Sequence, residues 1–143
     1  MLNIAICDDR PIQRKLLNLL IHEYEEQNGV RFNLYEFDSG EEIIEKFEEN
    51  KDFFDLFFLD NFMKKLTGLQ TALRIRYDNT ECHIVFVTAS DKQMKRTFMA
   101  ASPLEILFKP LQQEDINIIL DEVLVGKVSE TLLDDRARRL LRD

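Results

Sequence analysis

Three apolar runs in this chain end abruptly in charge. LNIAIC leads into Asp8 and Asp9, FFDLFFL into Asp60, and EILF into Lys109. Near-continuous apolar runs read as strands of a parallel sheet buried on both faces, where an unpaired charge is costly to desolvate. The charges therefore belong at the carboxyl ends of the strands, on one working edge, and three carboxylates with one lysine there make a site for a divalent metal and a phosphate.

The segments between these runs carry helical periodicity, and strand-helix alternation from start to end is the pattern of an α/β fold with helices on both faces of a parallel sheet. Strand 1 is expected at Leu2–Cys7. Pro11 opens a helix with Leu16, Leu17, Leu20, Ile21 and Tyr24 inward, stopped by Asn28 and Gly29. Strand 2, Arg31–Phe37, alternates less cleanly, as an edge strand does. Ser39 and Glu42 have capping-box spacing ahead of Ile43, Ile44 and Phe47. Strand 3, Phe53–Leu59, is the most apolar stretch and so the central strand, and it delivers Asp60. Thr67 and Gln70 repeat the capping spacing before a helix with Leu69, Ala72, Leu73 and Ile75 on its apolar side. Strand 4, His83–Val87, ends in Thr88; Ser90 with Gln93 begins helix 4, and Pro103 precedes strand 5, Glu105–Phe108. Helix 5 is expected over Gln113–Val125 with Ile116, Ile119, Leu120 and Val123 inward, interrupted by Gly126. A short amphipathic helix is expected from Thr131, with Asp134 as its capping partner, ahead of Leu140 and Leu141.

A length of 143 residues, 45% hydrophobic and 32% charged, suits one ordinary globular domain with a sizeable core. The net charge of -8 argues against a general nucleic-acid surface, which needs concentrated Lys and Arg. Cys7 and Cys82 are too few for a disulfide framework and read as reduced and structural. MLNIAICDD lacks a basic leader, and no apolar run approaches the roughly 20 residues that span a bilayer, so a cytoplasmic protein is expected.

In open α/β sheets ligands bind beyond the carboxyl ends of the strands. Strands 1, 3, 4 and 5 end there in two carboxylates, a third carboxylate, a hydroxyl and an ammonium. Mg2+ takes hard oxygen ligands, commonly one or two carboxylates, which Asp9 and Asp60 could supply while Asp8 holds a bound water. A carboxylate can also attack phosphorus, with a nearby cation offsetting the charge on the transferred oxygens.

Asp8 and Asp9, Asp60, Gly68 eight residues later, Thr88 followed by Ala89, and the Lys109–Pro110 pair together resemble the receiver domain of two-component response regulators. The resemblance covers residues 1 to about 125. It implies a flavodoxin-like five-stranded parallel sheet of order 2-1-3-4-5, with residues 126–143 a linker or short helix and the effector domain absent. It further implies that Asp60 is the phosphoacceptor, that Asp8, Asp9, Asp60 and the backbone carbonyl of Phe62 hold Mg2+, that Thr88 bonds the phosphoryl group, and that Lys109 pairs with it. Ala89 would be small to admit the donor, and the Lys109–Pro110 peptide would be cis. The implied partners are a sensor histidine kinase and a second copy through helix 4, strand 5 and helix 5, with DNA touched only through a missing output domain and no membrane contact. Phrasing such as HIVFVTAS is most similar to regulators with a LytTR-type output module.

Three positions depart from the family pattern. Lys64 stands where receivers often carry proline, which would leave that loop's backbone less restricted. Phe62 stands where many carry a polar side chain, and its ring would shield an acyl phosphate from water. Ile106, three before Lys109, replaces the usual aromatic switch partner of Thr88, so the link from Thr88 to the surface would be differently built. Each motif also has a plainer reading: Asp8 or Asp9 as a helix cap, Asp60 as a turn residue, Thr88 as a hydroxyl satisfied by backbone. His22 and His83 lack a second ligand at metal spacing. The phenylalanines read as core, and the arginines at 136, 138, 139 and 142 as a solvated helix face or linker. Rival functions are a receiver-like interaction module independent of phosphorylation and an aspartate-nucleophile phosphatase, although the latter takes its nucleophile from an aspartate pair spaced by one residue after strand 1.

Overall fold

The computed structural model describes residues 1–89 and 94–126. Five parallel strands, β1 (Asn3–Cys7), β2 (Asn33–Phe37), β3 (Leu56–Asp60), β4 (His83–Thr88) and β5 (Glu105–Phe108), lie in the order β2-β1-β3-β4-β5, as expected. Between them run α1 (Pro11–Asn28), α2 (Gly40–Glu49), α3 (Gly68–Asp78) and the single turn α4 (Lys95–Phe98), which passes into a 3-10 turn at Met99–Ala101; α5 follows over 113–126. The expected cap at Ser90 and Gln93 and the expected helix from Thr131 fall outside the described residues. Among those described, no helix is long and apolar enough to cross a membrane.

Alternation along the strands divides the core in two. Leu2, Ile4, Ile6, Leu56, Phe58, Val85, Val87 and Leu107 face α1 and α5, meeting Leu17, Ile21, Ile116, Ile119, Leu120 and Val123. Ala5, Cys7, Phe57, Leu59, Ile84, Phe86 and Ile106 face the other way, toward Ile43 and Phe47 of α2, Ala72 and Ile75 of α3, and Phe98 of α4. Each large side chain buried this way contributes about 1.5–3 kcal/mol. β3 is buried at every residue, as befits the central strand, whereas β2 at the edge is half exposed.

The helix ends follow local chemistry. α1 begins on Pro11 and ends on Gly29, whose φ of 62° is the left-handed conformation that glycine adopts without strain. Thr67 and Gln70 complete a reciprocal capping box on α3, whereas at α2 only the Ser39 half forms, its hydroxyl accepting the Glu42 N–H. β3 starts at Leu56 and not at Phe53: the Phe53 N–H closes a turn on the Asn50 carbonyl at 3.2 Å, and Phe53 and Phe54 pack edge-on against Tyr35 and each other. Leu73 is 42% exposed, since the inner side of α3 is taken by Gly68, Thr71, Ala72 and Ile75. Gly126 is itself helical, and whether α5 stops there falls outside the described residues. Both cysteines are buried and free.

Candidate functional site

The β1, β3 and β5 ends converge. One carboxylate oxygen from each of Asp8, Asp9 and Asp60 lies within 4.8 Å of the others. The Lys109 ammonium stands between two of them, 3.0 Å from Asp8 Oδ2 and 3.2 Å from Asp60 Oδ1. The Lys109–Pro110 peptide is cis, as the resemblance implied. Asp8, Asp60 and Lys109 line a small pocket with Gln13 and Leu111, and Asp9 lines an adjoining hollow with Asp38, Ser39, Glu41, Lys64 and Lys65.

Asp60 is only 4% exposed. Burial first and the Asp8 carboxylate second push its carboxyl above the usual carboxylate range, Lys109 pulls it back, and Asp9 adds a smaller push upward. Three acids with one ammonium leave an excess of buried negative charge. That imbalance suits a hard divalent cation.

The remaining expected residues take distinct places. Thr88, 2% exposed at the end of β4, donates its hydroxyl to the Ala89 carbonyl at 3.2 Å and not to the carboxylates. Ala89 is exposed. The Phe62 ring is 53% exposed on the loop after Asp60. Ile106 is buried with Phe86 and Phe98, whose rings lie 4.5 Å apart, so aromatic packing between β4 and α4 comes from that pair instead. The capping reading of the aspartates fails: Arg10 is the N-cap residue of α1, and Asp8 Oδ1 accepts the Arg10 N–H itself, closing a turn and not a helix end.

Several site residues have weak sequence signals. Asn61, nearly fully buried, accepts the Leu69 N–H on its side chain at 3.1 Å, while its carbonyl accepts the N–H groups of Met63 and Gly68. Asn61 thereby folds the loop after Asp60 back on itself; a polar residue directly after a buried strand is the one clue. Gly68 is required by contact, since a Cβ there would stand 2.4 Å from the Asp60 carbonyl oxygen. From α2, Glu41 accepts the Leu66 N–H at 2.8 Å, which holds its carboxyl below the usual range. Cys7 Sγ lies 3.4 Å from Met63 Sδ, and burial, with Asp8 next, pushes the thiol far up, which makes it inert.

Known proteins bear on this geometry. The family model of the response regulator receiver domain matches residues 4–121. Sensory transduction protein LytR of Staphylococcus epidermidis is 30% identical over 122 residues, which are 85% of this chain and 46% of that protein. The chain spans about half the length of the curated relatives it matches. The crystal structure of a response regulator receiver domain protein from Clostridium thermocellum superposes with a TM-score of 0.76 at 20% identity, covering 89% of this chain and 97% of that one. The response regulator TrrA of Thermotoga maritima, solved in complex with Mg(2+)-BeF, gives 0.69 at 24% identity, covering 86% and 99%. With the receiver-domain match running through all five strands and the acidic edge, this chain belongs to the response regulator receiver domain family.

Proposed function

We propose that Asp60 accepts the phosphoryl group from a sensor histidine kinase and that residues 1–125 are the signal-receiving unit of a cytoplasmic two-component regulator. The observation that carries this reading is the convergence of three carboxylates within 4.8 Å, with the Lys109 ammonium bonded to Asp8 and Asp60. An Asp60 oxygen forms a bond to phosphorus as the bond from phosphorus to the donor's imidazole nitrogen breaks, and the electron pair returns to that nitrogen. Mg2+, held by Asp8, Asp9, Asp60 and the Phe62 carbonyl, would offset the negative charge that keeps an anionic donor away from these carboxylates. Lys109, already paired with Asp60, turns to the transferred oxygens, and the Thr88 hydroxyl gives up the Ala89 carbonyl for one of them. Exposed Ala89 leaves room for the donor, and the Phe62 ring slows hydrolysis by covering the acyl phosphate.

The new charge biases the surface made by α4, β5 and α5, where Ile106, Phe108 and the exposed Ile118 line a cleft suited to a second copy. DNA would be reached through an output module and not through this acidic body. The only chemistry supplied is on the domain itself. The test is to incubate the protein with Mg2+ and acetyl phosphate and weigh it intact beside Asp60→Asn. A gain of one phosphoryl group in the wild type alone supports the reading, and a gain equal in both refutes it. Followed over time, Phe62→Asn should lose the group faster.

A further inference from the structure

Asp8 and Asp9 are neighbours in sequence but are held very differently. Every polar group of Asp8 is engaged: its N–H donates to the Phe37 carbonyl at 3.2 Å, Oδ1 accepts the Arg10 N–H at 2.9 Å, Oδ2 accepts Lys109, and its carbonyl accepts Arg14 Nη1 at 2.7 Å. The Asp9 carboxylate, by contrast, has no hydrogen bond or ion pair among the described residues, although it lies within 4.8 Å of the other two. Its position is therefore set by the backbone, above all by the orientation of the peptide that joins it to Asp8.

Arg14 holds that peptide. It sits in the first turn of α1, and its side chain is 19% exposed. While Nη1 bonds the Asp8 carbonyl, Nε lies 3.5 Å from Glu36 Oε1 on β2. The planar fork is thus anchored on two elements, and rotation of the Asp8–Asp9 peptide would break a short charge-assisted bond. A lysine at this position has one point of attachment and can serve the carbonyl or Glu36, but it cannot clamp both with the same rigidity.

We propose that Arg14 is a positioning residue for the divalent cation: it fixes the Asp8–Asp9 peptide and thereby presents the otherwise unrestrained Asp9 carboxylate to the metal. Arg14 does not touch the phosphoryl group. The inference rests on the receiver reading of the acidic site and adds a determinant of its metal affinity.

The experiment is isothermal titration of the full chain with Mg2+ for wild type, Arg14→Met, Arg14→Lys and Glu36→Gln, beside their Tm values and phosphorylation rates with acetyl phosphate at saturating Mg2+. The expected result is a Kd about tenfold weaker for Arg14→Met, with Arg14→Lys and Glu36→Gln in between and rates at saturating Mg2+ close to wild type. Unchanged Mg2+ affinity in Arg14→Met overturns the proposal, even where its Tm falls, because the residue would then be structural only. Full rescue by Arg14→Lys also overturns it, since charge alone would suffice. So does a rate loss that persists at saturating Mg2+. A wild type that binds no Mg2+ brings down the receiver reading itself and this inference with it, whereas a wild type that binds beside unaffected variants removes this inference alone.

Discussion

Asp60 ionises against its surroundings. Buried, and close to the carboxylate of Asp8, it holds its proton more tightly in the folded chain than in the unfolded one, where its value is near the ordinary 3.8. Its contribution to stability is thus fully present below that value and is lost as pH rises through its elevated folded value. Asp60→Asn removes the charge while keeping an oxygen for Lys109. In a chelator at pH 7, this substitution should raise the melting temperature above that of the wild type. The gain should shrink as pH falls through the range in which wild-type Asp60 takes up its proton. A thermal melt series of both proteins from neutral to acid pH measures it, and a gap that widens toward acid would contradict the assignment of the buried charge.

At the scale of elements, the short α4 is tied to the body by side chains and not by its own length. Phe98 packs on Phe86, and Arg76 of α3 gathers the carbonyls of Ala101 at 2.7 Å, Cys82 at 2.6 Å and Ser102 at 3.1 Å. Ser102 holds a left-handed φ of 47°, unusual for a residue with a Cβ, so the turn into β5 depends on those bonds. Arg76→Gln should cost about 1–3 kcal/mol and speed amide hydrogen exchange at Ser102 and Leu104, while β1 and β3 stay protected. Uniform exchange across the sheet would show that Arg76 stabilises the whole fold and not this corner.

For the whole molecule, the acidic edge concentrates part of a net charge of -8 where a cation relieves it. A cation that binds only the folded chain stabilises it by mass action, about 2.7 kcal/mol at a hundred times its Kd. Melting temperature should therefore climb with the logarithm of Mg2+ concentration, and Asp9→Asn should flatten the slope. An equal rise in both proteins would mean that general ionic screening, and not this site, is responsible.

Much of this was legible from residue order. Apolar runs closed by Asp8, Asp60 and Lys109 identify strands and their functional ends, because burial on both faces leaves a charge only the strand terminus. Pro11, Gly29, Thr67 and Gln70 mark helix boundaries through local backbone chemistry. Residue order could not show that Asp8 is locked on every side while Asp9 is not, that Arg14 reaches back to the Asp8 carbonyl, that Phe98 packs on Phe86, or that Leu73 faces out. Periodicity reports which side of an element is apolar, but hydrogen bonds between residues distant in sequence and the share of each face that neighbours cover arise only when the elements pack. The chain itself thus determined which groups meet at the strand ends, and the tertiary structure decided how tightly each is held.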